Sequence, residues 1–338
     1  MNRTVEVPAI SDHGGALARA KTRWGEGDDW IDLSTGINPW PYPVPELPAG
    51  AWARLPEEAA LGALEAAARR CYGAPEEAAI AAAPGSQALI QLLPLLLLPT
   101  EVEILGPTYA EHARCWRLAG HSVTEITVVD LKQYHRRARP VLVVAQPNNP
   151  DGSVLARPEL VLAAHARAAQ GGLVVVDEAF ADCVPECSLA FRSGMPGLLV
   201  LRSFGKFFGL AGLRLGFALG EQALIARIEA ALGPWAVSGP ALAIGRAALS
   251  DADWVTATRR RLAATSEALD SLLSRHGFAG LTGSPLFTLV QTDQAPALFE
   301  RLAAAHILVR RFEAWPDRLR FGLPPDDAAL DRLDRALR

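Results

Sequence analysis

Lysine is scarce in this chain: Arg supplies 30 of the 33 basic residues, and Lys stands only at positions 21, 132 and 206. Where a surface charge alone is wanted, the sequence uses Arg. A Lys set among apolar residues therefore calls for a chemical reason. Lys206 lies in the run Ser203-Phe204-Gly205-Lys206-Phe207-Phe208-Gly209-Leu210-Ala211-Gly212-Leu213-Arg214. Most lysines are solvated surface charges. One held out of water has a lowered amine pKa, which favours a Schiff base to a carbonyl. The glycines around it let backbone approach a ligand closely.

Four other places carry residues suited to one ligand. Asp177 follows Leu173-Val174-Val175-Val176, and a carboxylate after such a strand is desolvated unless something pairs it. A helix cap or a cationic ligand would satisfy it. Asn149 stands in Gln146-Pro147-Asn148-Asn149-Pro150-Asp151-Gly152, which reads equally well as a turn of good turn formers. Gly85, Ser86 and Gln87 open a helix, which makes either an anion site or a simple N-cap. Ser203 and Arg214 flank Lys206, and with that helix start they form a phosphate holder. Tyr109, after Gly106-Pro107-Thr108, is placed to stack on a ring. Together these residues describe a phosphorylated aldehyde with a basic ring nitrogen. Lys206 takes the aldehyde, Asp177 the nitrogen and Asn149 a ring oxygen. Pyridoxal 5'-phosphate (PLP) has those groups, and its protonated ring is an electron sink. The four cysteines, Cys71, Cys115, Cys183 and Cys187, lack the spacing of a zinc site and read as buried thiols, so no metal is expected.

The elements that must position these residues follow from the apolar pattern. Helices are expected from Glu57 to Tyr72, with Gly73 as the stop, and from Gly85-Ser86 towards Leu97. Strands are expected at 102–105, 123–129, 141–146, 173–176, 198–201 and 215–219, with helices over 109–119, 158–169 and 221–232 between them. Nearly continuous apolar strands alternating with helices imply a mostly parallel sheet covered on both faces. From about Ala241 the pattern changes to helices over 241–249, 253–276 and 294–305, with strands near 285–292 and 318–323. The first fifty residues, with Asn38-Pro39-Trp40-Pro41-Tyr42-Pro43, read as an extended arm. The expected division is an arm over 1–47 that covers the site with the smaller domain, a large domain over 48–240 and a small α+β domain over 241–338.

With 338 residues, 50% apolar content and a net charge of −4, the chain can bury a large core. It offers no basic field for nucleic acid and is too apolar for intrinsic disorder. The longest apolar run, Ala88–Leu98, contains Gln91 and Pro94 and is too short to span a bilayer. Its opening residues lack the apolar stretch of a signal peptide, so a cytoplasmic protein without membrane or nucleic-acid partners is expected.

The order Asn148-Asn149-Pro150-x-Gly152, Asp177-Glu178-Ala179-Phe180 and Ser203 to Gly216 resembles the class I/II aminotransferases, fold-type-I PLP enzymes. The likeness runs from about residue 30 to the C-terminus. Within that family, His13-Gly14-Gly15, Asp32-Leu33-Ser34-Thr35-Gly36-Ile37-Asn38-Pro39 and Pro107-Thr108-Tyr109-Ala110-Glu111-His112 are most similar to the threonine-phosphate decarboxylases of cobalamin biosynthesis. The resemblance implies a PLP-dependent transferase fold, a large α/β domain with a mostly parallel sheet plus a smaller α+β domain, and a homodimer. It implies that Lys206 bonds the cofactor, Asp177 pairs the pyridine nitrogen, Asn149 faces the ring hydroxyl, and Arg320 clamps the substrate carboxylate. His13 and Asn38 fall where the decarboxylases bring an N-terminal segment to a phosphorylated amino acid. The reaction so implied is decarboxylation of L-threonine O-3-phosphate; the alternatives are a histidinol-phosphate-type aminotransferase or a non-catalytic partner of the same fold. Three residues depart from the family pattern: Phe180 and Leu55 stand where relatives often carry Tyr, and Gly205 replaces a Ser.

Overall fold

Apolar strands without polar alternation need cover on both faces, and the computed structural model, which describes residues 14–129 and 140–338, supplies it. The arm contributes α1 (Leu17–Trp24) and β1 (Ile31–Leu33), so it is more structured than its proline content suggests, and α2 (Ala49–Ala53) follows it. Next come α3 (Glu58–Tyr72), β2 (Ala79–Ala83), α4 (Ser86–Leu92) and a short 3-10 turn over Leu93–Leu96. Gly73 ends α3 with a left-handed φ of 65°, as its position implies. The chain then runs through β3 (Glu101–Leu105), α5 (Ala110–Leu118), β4 (Ser122–Ile126), β5 (Val141–Ala145), α6 (Arg157–Ala168) and β6 (Leu173–Asp177). It continues with β7 (Leu198–Ser203), α7 (Phe204–Phe207), β8 (Gly216–Gly220) and α8 (Gln222–Leu232).

Strands β2 to β8 form one sheet in the order β2-β8-β7-β6-β5-β3-β4. All neighbours are parallel except β8, which runs antiparallel to both β2 and β7. Alternate residues serve opposite cores: Leu142, Val144, Val174 and Val176 face one, Val143, Val175, Leu199 and Leu201 the other. Strand β2 is absent from the sequence expectation because Ala-Ile-Ala-Ala-Ala has the composition of a helix. Pairing with the full length of β8 makes it a strand instead.

Helices α9 (Gly239–Ser250) and α10 (Ala252–Arg275) lead into β9 (Thr282–Ser284) and β10 (Phe287–Gln291). The chain ends with α11 (Ala295–Ala304), β11 (Ile307–Arg311), β12 (Arg318–Gly322) and α12 (Asp327–Leu337). A second sheet has the order β1-β11-β12-β10-β9, and the arm strand β1 pairs parallel with β11. The arm is thus stitched into the C-terminal sheet. No helix among the described residues is long and apolar enough to cross a membrane.

A buried ion network braces the strand ends. Arg202 on β7 donates to Glu178 Oε2 at 2.7 Å and to Asp182, and Ser188 Oγ donates to Glu178 at 2.6 Å. Burial raises the Glu178 pKa, and the Arg202 guanidinium opposes that rise. Glu178 directly follows Asp177 and Arg202 directly precedes Ser203, so the network fixes where those two residues leave their neighbouring strands.

Candidate active site

The carboxyl ends of β2, β3, β5, β6 and β7 share one edge of the sheet, the side on which open α/β sheets bind ligands. The Asn149 turn, Asp177 and the Lys206 helix project from it. Helix α7 is short and anchored by Phe204 and Phe207, both fully buried, so Lys206 is turned into a cavity. Its Nζ lies 5.8 Å from the Phe180 ring centroid. Burial, with Arg320 and Arg214 nearby, pulls its pKa down to about 8, against the upward pull of Asp177. Asp177 is 5% exposed. Its Oδ1 accepts from the Ala179 amide at 3.2 Å, and its Oδ2 lies 2.9 Å from His112 Nε2.

Across the cavity, Gly85 adopts a φ of +90°, and a Cβ there would lie 2.6 Å from Arg214 Nη2. Gly216 is as constrained, since a Cβ would stand 2.4 Å from the Ser86 amide nitrogen. The two glycines let the Arg214 guanidinium, the start of α4 and Ser203 converge on one spot, the cup expected for a phosphate. Arg214, itself left-handed at φ 55°, donates from Nη1 to the Ala211 carbonyl at 3.1 Å.

Gln87 enters this wall differently from the expectation. Its side-chain amide donates to Glu111 Oε2 at 3.3 Å and accepts from the Tyr109 hydroxyl at 3.0 Å. Its side chain is therefore committed to Glu111 and Tyr109 in the wall of the cavity that Gln87 lines. Tyr109 lines the cavity, and burial, Glu111 and Asp177 raise its phenol pKa well above the ordinary value.

Arg320 on β12 is 6% exposed. It donates from Nη1 to Asn149 Oδ1 and from Nη2 to the Ser34 carbonyl at 3.1 Å. A guanidinium only donates, so Asn149 presents its NH2 as a donor to a ligand. Arg320 has no carboxylate partner and its buried Nε has no acceptor among the described residues. Burial and Arg310 lower its pKa. Arg310 is its cross-strand partner in the β11–β12 register and lines the same cavity.

Asn38 does not reach the cavity lining. Its Nδ2 donates to the Phe207 carbonyl at 2.8 Å and its Oδ1 accepts from the Trp40 amide at 2.9 Å. Its own amide donates to the Lys206 carbonyl at 3.0 Å. It anchors the arm to the lysine segment, and the arm residues that do line the cavity are Gly14, Ser34, Thr35 and Gly36. His13 lies outside the described residues. The cavity measures about 640 Å³, enough for a cofactor with a substrate above it. An aldehyde partner, a ring-nitrogen acid, a phosphate cup and a carboxylate fork meet there, so the residues present fit PLP. No cluster of His, Cys, Asp and Glu suited to a metal ion occurs among the described residues.

Residues 44–337 match the family described as aminotransferase class I and II. This chain belongs to the class I and II aminotransferases. It is 49% identical to the threonine-phosphate decarboxylase of Pseudomonas aeruginosa over 328 residues, 96% of this chain and 97% of that protein. A threonine-phosphate decarboxylase from Sinorhizobium sp is 44% identical over 96% and 97% of the two chains. Among solved structures, the histidinol-phosphate aminotransferase of Clostridium acetobutylicum superposes with a TM-score of 0.79 at 20% identity, over 90% of this chain and 97% of that one. The histidinol-phosphate aminotransferase of Sinorhizobium meliloti in complex with pyridoxal-5'-phosphate gives 0.77 at 22%, over 100% and 97%. These neighbours establish the PLP-dependent transferase fold.

The three departures from the aminotransferase pattern have local causes. Phe180 packs edge-on against Phe287, ring centroids 5.0 Å apart, and a Cβ on Gly36 would touch both rings at 3.0 Å. That wall is apolar and closed. At Gly205 a Cβ would lie 2.8 Å from Ala211 Cα, so the space of a serine side chain is already filled. Leu55 is 64% exposed and lies outside the cavity lining. Sequence reasoning gives no role to Arg310 or to His112, although His112 stands in one of its motifs. The spacing of three between Tyr109, the N-cap of α5, and His112 in its first turn is the signal that could have found His112.

Proposed function

We propose that the protein decarboxylates L-threonine O-3-phosphate to (R)-1-aminopropan-2-ol phosphate and CO2 with PLP, as a step of cobalamin biosynthesis. The observation that carries this reading is the pairing of Arg320 with Arg310 across β11 and β12 inside one cavity with Lys206. A substrate with both a carboxylate and a phosphate ester offers an anion to each. Near-full-length likeness to two threonine-phosphate decarboxylases supports the same substrate.

PLP, when bound, supplies an electron sink for the pair left on Cα as CO2 departs. This chain's residues do the rest. Lys206, with its pKa lowered to about 8, gives up its proton far more readily than a solvated lysine and so supplies the neutral, nucleophilic amine more easily. Asp177, steadied by His112, holds the proton on the ring nitrogen. Arg320 orients the substrate carboxylate, and Phe180 and Phe287 keep that wall dry. Lys206 Nζ then returns a proton to the substrate Cα.

The same reading makes the protein a cytoplasmic homodimer. Trp52, Leu55 and Trp235 are exposed, and α2 packs against the start of α9, where a Cβ on Gly239 would meet the Ala51 carbonyl at 2.3 Å. Those apolar residues suit burial by a second copy, which light scattering would register as twice the 36.1 kDa chain mass. For the reaction, purified protein is given threonine phosphate alone. Release of CO2 without a 2-oxo acid supports decarboxylation. Turnover that requires a 2-oxo acid and yields no CO2 would make it an aminotransferase. A colourless protein that takes up no PLP would point to a non-catalytic partner.

A further inference from the structure

We propose that Glu111 is a positioning residue: through Gln87 it fixes the direction in which the Tyr109 hydroxyl points, and so sets what that wall of the cavity can bind. The chain of contacts is short. Arg114 Nη1 donates to Glu111 Oε2 at 3.2 Å, and Gln87 Nε2 donates to the same oxygen at 3.3 Å. The Tyr109 hydroxyl donates to Gln87 Oε1 at 3.0 Å. Glu111 is 4% exposed, and nothing in the reaction proposed above uses it.

The direction of each bond follows from the groups. A carboxylate only accepts, so Gln87 must turn its NH2 to Glu111. Its carbonyl then faces Tyr109, and a carbonyl also only accepts. Tyr109 therefore spends its single proton on Gln87, and towards every other group its oxygen acts only as an acceptor. It accepts from ligand N–H or O–H groups and gives nothing to a phosphate oxygen. The phosphate ester is left to the arginines and backbone amides. Because Gln87 also belongs to the start of α4, the relay ties the phosphate cup to the ring-stacking Tyr109.

This inference rests on PLP occupying the cavity, and the test separates the two ideas. PLP dissociation and the threonine-phosphate KM are measured for wild type, Glu111→Gln, Tyr109→Phe and the double variant. Glutamine at 111 keeps the shape but can present either end to Gln87, so the amide loses its fixed direction. Each single variant is expected to raise the KM or the PLP dissociation constant about 5- to 10-fold, as loss of one oriented hydrogen bond does. The double variant should be no worse than Tyr109→Phe within about 2-fold, because both changes break one relay. Arg114→Met, at a partly exposed position, should shift the same constants in the same direction and serves if Glu111→Gln does not fold. Multiplicative effects in the double variant, or a Glu111→Gln protein indistinguishable from wild type, would overturn the relay. Wild type that takes up no PLP would instead overturn the cofactor reading.

Discussion

His112 Nε2 stands 2.9 Å from Asp177 Oδ2, with both side chains almost wholly out of water. The two come from different elements, α5 and the end of β6, and their contact turns a desolvated carboxylate into an oriented one. Replacing His112 with Leu should leave Asp177 tilted and its second oxygen unpartnered. The expected result is kcat lowered roughly 10- to 100-fold with KM nearly unchanged. His112→Gln, which keeps a donor, should recover part of the loss. Steady-state kinetics on the three proteins decides it, and a stability loss without the kcat effect would reduce His112 to packing.

Lys206 leads to a pH prediction for the cofactor-free protein. Its pKa falls from 10.5 unfolded to about 8 folded. Between those values the unfolded chain binds more protons, so stability rises with pH across this window. Below about pH 8 the folded state carries the full penalty of a buried ammonium. Lys206→Met removes that penalty, so the apoprotein variant should be more stable than wild type at pH 7 by roughly 3 kcal/mol. The gap should close as pH approaches 10.5. Urea melts at several pH values measure it. The same variant should lose at least about 10³-fold in turnover and should no longer be fixed to PLP by borohydride.

Much of this site was legible in the sequence because its groups sit at strand ends. Asp177, Asn149 and Lys206 each follow an apolar run that could only be a buried strand, and the topology then brings them to one edge. The parts that were not legible depend on long-range pairing. The Ala-rich β2 reads as helix until β8 is laid beside it, and β1 is three residues whose partner lies more than 270 positions away. Asn38 was expected to meet the substrate, yet a buried amide side chain takes whatever unpaired carbonyl is nearest, here that of Phe207. Gln87 shows the same limit, because its role is set by Glu111 on another helix.

Gly205 gives a prediction against simple family logic. Restoring serine there ought to add a phosphate ligand if the space were open. With a Cβ held 2.8 Å from Ala211 Cα, Gly205→Ser must push the Ala211 backbone and the Arg214 loop behind it. The expected outcome is a stability loss of about 1–3 kcal/mol and weaker retention of PLP. Thermal melts with and without PLP test this, and tighter retention in the variant would show that the loop yields.

Arg320 supplies the last test, because its surroundings leave its charge uncompensated. Among the described residues it gives hydrogen bonds only to the neutral oxygens of Asn149 and Ser34, and its cross-strand neighbour is another arginine. An anion arriving at the buried Arg320 guanidinium should therefore stabilise the folded state. Saturating threonine phosphate is expected to add about 2.7 kcal/mol at a hundred times its dissociation constant, seen as a raised melting temperature. Arg320→Lys keeps one charge but loses the planar fork, so it cannot hold Asn149, Ser34 and a carboxylate together. Its KM should rise roughly 10- to 100-fold, and the ligand-induced melting shift should shrink with it. A variant that keeps the full shift would place the substrate carboxylate elsewhere in the cavity.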